Sequence, residues 1–223
     1  MSPQALEALW ISLKVAAFAT AVILPPGFAV GLLLARKSFP GKSVVETISA
    51  LPLVLPPTAV GYLLLALLAR NGPLGVTRLG FDLDILFTWK AAALASALMS
   101  LPLVARTARV AFEEVDPRLE GIGRTLGMTP ARVFFAITLP LARRGLLAAA
   151  VLGFGRALGE FGATVIVAGN IPGRTQTLAL AIFNDIQTGR DREALVIVGI
   201  TVVLAFGALW SAEMLSRGRS ASP

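Results

Sequence analysis

Long apolar stretches alternate with short polar ones along this chain. Five of them are long enough for a bilayer crossing, which takes about 20 helical residues: roughly 9–35, 44–69, 85–111, 145–168 and 194–215. The first carries Lys14 near one end, where its stem can lie on apolar surface while the amine reaches water. It also holds Pro25-Pro26-Gly27, which predicts a kink because proline lacks a backbone donor and crowds the preceding turn. The second is broken by Pro52, Pro56 and Pro57, and irregular backbone at membrane depth needs protein or a water-filled path beside it. A mere packing kink satisfies the same residues. The third opens near Trp89 and Lys90, residue types suited to the membrane interface. The fourth is rich in glycine, with Gly155 and Gly159 four apart and Gly153 and Gly162 nearby, a spacing that lets helices approach closely. The same stretch carries Arg156 and Glu160 at (i, i+4), a pair that can satisfy itself on one helix face. Charges at that depth face protein or water. A structural ion pair and a pathway role both remain open for them, the former being the commoner arrangement. After a turn at 169–173, Leu178, Ala181, Ile182 and Ile186 recur at helical spacing. They predict a short amphipathic helix over about 175–187, lying on the outer membrane surface rather than crossing.

The longest polar interruption, 116–140, reads as a folded piece. Asp116 is a good N-cap, Pro117 suits the first helical position, and Glu120 stands where a capping-box acid is expected. Gly127 ends that short helix, and Thr129 with Pro130 caps and opens a second. Two small helices joined at a glycine between membrane spans predict a docking element for something outside the bilayer.

Composition narrows the class. The 223 residues are 56% hydrophobic and only 15% charged, with a mean hydropathy of +0.78, as in an all-α polytopic membrane protein. There is no cysteine and no histidine, which removes disulfides, thiolate chemistry and imidazole ligands. The net charge of +7 does not point to nucleic acid, because the bases sit beside apolar spans instead of alternating with aromatics. The N-terminus lacks the basic start and small-residue cleavage site of a secretory signal, so the first apolar stretch is expected to stay. Placing the loop after the first span in the cytoplasm collects Arg36, Lys37, Lys42, the arginines around the central loop, Arg217 and Arg219 on that side. The basic residues then divide about two to one, as the positive-inside rule requires. This puts the N-terminus outside, and the 116–140 loop and C-terminus inside.

No P-loop, HExxH or paired-carboxylate motif is present, so no catalytic residue, metal site or cofactor is assigned. An ion-coupled carrier normally shows unpaired intramembrane acids, and an intramembrane enzyme needs a nucleophile and base that cannot be assembled here. What is left is a pore-forming or scaffold subunit driven by a partner docked on the central loop.

The central loop resembles the cytoplasmic coupling loop of importer-type ABC transporter permeases. That pattern is Glu-Ala-Ala, three residues, Gly, nine residues, Ile-x-Leu-Pro. Gly127, Ile137, Leu139 and Pro140 match at that spacing; the Glu-Ala-Ala positions hold Gly121, Ile122 and Gly123, with Glu120 one residue early. Within that superfamily, three stretches are similar to the molybdate permease (ModB) family: 51–57, 158–164 (Leu-Gly-Glu-Phe-Gly-Ala-Thr) and 169–177 (Gly-Asn-Ile-Pro-Gly-Arg-Thr-Gln-Thr). Sulfate permeases share the Gly-Glu-Phe-Gly and Gly-Asn-Ile-Pro pieces, and tungstate is nearly the same ligand as molybdate. The resemblance implies that residues 1–223 form one transmembrane domain of the importer-permease fold, working as a homodimer in the bacterial inner membrane. It further implies two copies of a cytoplasmic ATPase and a periplasmic molybdate-binding protein as partners. Glu120, Gly121, Gly127, Met128, Thr129, Pro130, Ile137 and Pro140 are then the expected ATPase-coupling residues. Pro56, Pro57, Gly155, Arg156, Gly159, Glu160 and Gly162 are the candidates for the pathway or dimer interface.

Overall fold

In the computed structural model, residues 3–81 and 83–217 are described, and their regular structure is helical throughout. Arg219 and the first two residues lie outside them. Helix α1 (Pro3–Arg36) has 34 residues, about 50 Å at 1.5 Å per residue, and runs through Pro25 and Pro26 without interruption. The second apolar stretch divides into α2 (Lys42–Val54) and α3 (Pro57–Leu68), bent by 108° at Leu55-Pro56. Proline explains the corner: Pro57 has no amide hydrogen to give, and Leu55 and Pro56 are extended. A single turn, α4 (Val76–Leu79), precedes α5 (Trp89–Glu113). Then come α6 (Pro117–Thr125), α7 (Pro130–Val133), a five-residue π-helical turn (Phe134–Thr138) and α8 (Leu139–Leu158). The chain closes with α9 (Gly162–Ala168), α10 (Leu178–Gln187) and α11 (Asp191–Arg217). Four helices are long and apolar enough to cross a membrane, or five spans with the bent pair counted as one.

Helix α5 is the centre. Two-thirds (67%) of its most apolar stretch is buried, against 11% for α11, so most of the surface of α11 faces away from the bundle. Close packing around α5 is built from small residues: Ala91, Ala92, Ala93, Ala95 and Ala97 are buried against Ala16 and Ala19 of α1. Further along, a Cβ on Gly27 would stand 2.6 Å from Val104, and one on Gly31 would stand 2.9 Å from the Ala105 carbonyl. In lipid, where apolar burial drives little association, such backbone proximity supplies the dispersion contacts that hold helices together.

Three expectations need correction. The fourth span does not run from 145 to 168. It begins at Pro130, passes through the π turn and ends at Leu158, and residues 159–161 break it before α9. The second "small helix" of the central loop is therefore the first turn of a spanning helix rather than a free-standing piece. The short amphipathic helix starts at Leu178 rather than at about 175, with Thr175, Gln176 and Thr177 forming its approach; Leu178, Leu180 and Ala181 are buried against the bundle, and Ile186 is 57% exposed.

Candidate functional site

Two clusters of buried polar groups stand at helix breaks. At the first, the Asp116 side chain accepts from the Arg118 amide and starts α6, and Thr129 accepts from the Arg132 amide and starts α7. Gly127 joins them with φ of +79°, a left-handed conformation that costs any residue with a Cβ. Around it Met128 is half-buried, while Gly121, Thr129, Pro130 and Pro140 are exposed. So are Leu119, Ile122, Leu126 and Phe135, an apolar surface facing away from the bundle.

Glu120 does not close a capping box. It points the other way, into the bundle, and is 8% exposed. The Arg36 guanidinium, at the last turn of α1, donates through Nη2 to its Oε1 at 2.8 Å and to the Val115 carbonyl at 3.0 Å. The Thr138 hydroxyl donates to the same Oε1 at 2.8 Å. Beneath it Gly123 is the point of closest approach: a Cβ there would lie 2.7 Å from Ile137 Cδ1 and 3.3 Å from Val133. Ile137 is thus a packing partner of α6, and the π turn carries it over Gly123. Sequence reasoning missed Arg36, Thr138 and the role of Gly123. The sequence signal for Gly123 was its small size at the second alanine position of the coupling pattern; Arg36 had none beyond ending an apolar span.

The second break, 159–161, holds Glu160, 2% exposed. Its Oε2 accepts from Arg156 Nη1 at 2.8 Å, and its Oε1 accepts from the Ala163 amide at 2.9 Å. The carboxylate therefore satisfies an amide at the start of α9 while neutralising the arginine at the end of α8. Gly162 meets Pro57 (2.8 Å from a would-be Cβ), and Gly61 meets Ala163 (2.8 Å), so α3 and α9 lie backbone to backbone. Among the pathway candidates, Pro57 with Gly162 and Arg156 with Glu160 are brought together. Gly155 faces Ala208 of α11 instead, 3.6 Å from a would-be Cβ, and Gly159 is exposed; the tight glycine of α8 is Gly153, where a Cβ would stand 2.6 Å from Val104. Behind the break, Thr175 Oγ1 accepts from the Ile171 amide, Gln176 bonds Asn170, and Ser12 of α1 accepts from the Leu178 amide. The 169–177 stretch is thereby fixed to the start of α1.

Residues 27–220 match the model of the binding-protein-dependent transport system inner membrane component. The chain belongs to that family of ABC importer permeases. Among its relatives, the molybdenum transport system permease ModB of Haemophilus influenzae is 44% identical over 95% of this chain and 93% of its own length. ModB of Escherichia coli K12 is 45% identical over the same shares. The sulfate permease CysW of Synechococcus elongatus is 37% identical over 80% of this chain and 65% of its own. In fold, the permease resembles a chain of a bacterial ABC transporter that imports alginate, with TM-score 0.77 at 18% identity, covering 99% of this chain and 82% of that one. As a member of this family it is a multi-pass inner-membrane translocation component.

Proposed function

We propose that this permease is the membrane subunit of a molybdate importer, forming one transmembrane domain that works as a homodimer with the path at its interface. The reading is carried by near-full-length identity to molybdenum permeases of two bacteria, 44–45%, above the 37% shared with a sulfate permease. Two copies of a separate ATPase dock on the 116–140 element from the cytoplasm, and a periplasmic oxyanion-binding protein docks on the opposite end. The N-terminus lies outside and the C-terminus inside. The chain itself performs no chemistry.

The geometry supports a way for the docked ATPase to move the spans. Helix α6 is tied to the end of α1 by Glu120–Arg36, and α7 continues without a break through the π turn into α8. Displacement of the hairpin is thus delivered to two spans at once. ATP binding does work on the permease only if the inward- and outward-facing states differ in affinity for it. Pro57 and Gly162, at the bend of the second span and the break after the fourth, are the proposed pathway or interface residues, with Arg156 and Glu160 closing that break beside them. Tight binding in a path prevents release, so oxyanion selectivity belongs mainly to the soluble binding protein. A sulfate or tungstate permease is the neighbouring reading. An ion-coupled carrier is disfavoured because Glu46, Glu120 and Glu160 are all paired with arginine.

Reconstitution tests this. Proteoliposomes holding the permease with its ATPase and supplied with the binding protein should take up molybdate only when ATP and all three proteins are present. Uptake by the permease alone, driven by an ion gradient, would overturn the reading. Sulfate uptake unaffected by excess molybdate would overturn its substrate.

A further inference from the structure

The end of the bundle opposite the hairpin carries a cleft lined by charged side chains. The N-terminal halves of α1 and α5, with the 169–177 stretch, enclose a cleft of ≈ 380 Å³ lined by Trp10, Lys14, Asp84, Trp89, Lys90 and Arg174. Three of these are cations and one is a carboxylate. Lys14 Nζ sits 3.9 Å above the Trp89 ring, and Lys90 Nζ reaches only the Asp84 backbone carbonyl, at 3.4 Å. None of the three cations is in a salt bridge among the described residues. Directly beside it, sharing Lys90, runs an apolar slot of ≈ 220 Å³ between Phe18, Val22, Ile85, Ala93 and Leu94. Phe18 stands edge-on to Trp89 at 5.3 Å, so one aromatic pair forms the boundary between the two.

A cationic cleft opening onto an apolar slot at a tryptophan-marked membrane interface has the shape of one kind of ligand. The geometry points to a bound anionic phospholipid, its phosphodiester among Lys14, Lys90 and Arg174 and an acyl chain along Phe18, Val22 and Leu94. A free oxyanion has the charge for the cleft but nothing to fill the slot. A neutral lipid fills the slot but leaves the excess positive charge of the cleft uncompensated. The lipid would brace α1 against α5 at the end where Ser12 already holds the approach to α10. The site depends on this end meeting the bilayer interface, not on which oxyanion is carried.

The probe is phosphatidylglycerol with brominated acyl chains, which quenches nearby tryptophan. In a Trp10→Phe/Trp210→Phe background only Trp89 reports. Brominated phosphatidylglycerol should quench it at about one-tenth the mole fraction needed for brominated phosphatidylcholine. Neutralising Lys14, Lys90 or Arg174 to Gln should reduce that preference by about twofold each, the three together removing it, and Lys37→Gln at the far end should leave it intact. Native mass spectrometry of the single variants gives a second count of retained lipid that does not depend on fluorescence. Equal quenching by the two lipids would overturn the proposal. So would a preference that survives all three substitutions, or displacement by chainless glycerophosphoglycerol or molybdate, which would mark the cleft as a free-anion site.

Discussion

Glu120 and Glu160 are both buried carboxylates, each bonded at 2.8 Å to an arginine and at 2.8 or 2.9 Å to a second donor. The difference lies in where the arginine comes from. Arg156 is four residues from Glu160, and the second donor is three residues on, so that site is closed within one stretch of chain. Arg36 is 84 residues from Glu120, and its bond joins the hairpin to the first span. One carboxylate finishes a helix break, while the other joins the hairpin to the end of the first span. The same chemistry closes one stretch of chain on itself in one place and ties two distant elements in the other.

The strongest way to break this comparison is Arg36→Ala. It removes the closer of two arginines from a carboxylate whose side chain is only 11% exposed, and losing one partner of such a pair costs about 3 kcal/mol. ATP-driven uptake should fall to near background while helix content by circular dichroism stays. Unchanged uptake would show that the tie transmits nothing. Next comes Gly123→Val, which overpacks the α6–π-turn contact by about 1–3 kcal/mol. Shortening Ile137 to Ala should restore much of the lost thermal stability and uptake, because the clash is with Ile137 Cδ1.

Glu160→Gln sharpens the other side. Glutamine can still accept from the Ala163 amide, so the loss is the charge pairing, about 1–2 kcal/mol. A local role predicts lower melting temperature with the ATPase still bound and uptake per folded molecule unchanged. Abolished uptake at unchanged stability would move Glu160 into the path. The smallest effect is expected at Gly127. Nothing lies within 4 Å of its would-be Cβ, so Ala and Leu should cost the same, about 1–2 kcal/mol from positive φ alone. A much larger loss of ATPase association for Leu than for Ala would locate a partner surface against this residue.

Much of the fold was legible because its signals are local. Apolar length, Pro56-Pro57 and the Asp116, Gly127 and Thr129 punctuation each act over a few residues, and the structure places a corner, two caps and a left-handed glycine there. The fourth span was misplaced because Arg143 and Arg144 make its first turns look like loop, although helix hydrogen bonds continue through them. The site was less legible. The partners of Glu120 are fixed by how α1 and α8 pack, and Gly153 and Gly162 rather than Gly155 and Gly159 make the closest approaches because of the rotation of α8 and the break after it. Neither is encoded in spacing along one segment.

The central claim is that the 116–140 hairpin faces the cytoplasm and is gripped there by the ATPase. The chain has no cysteine, so Leu126→Cys and Gln187→Cys, both at exposed positions, are single-site reporters at opposite ends. In intact cells a membrane-impermeant maleimide should label the cysteine at 187 and not the one at 126. After the cells are opened, the cysteine at 126 should react only once the ATPase is removed. Labelling at 126 from outside, or reactivity there indifferent to the ATPase, would contradict the account.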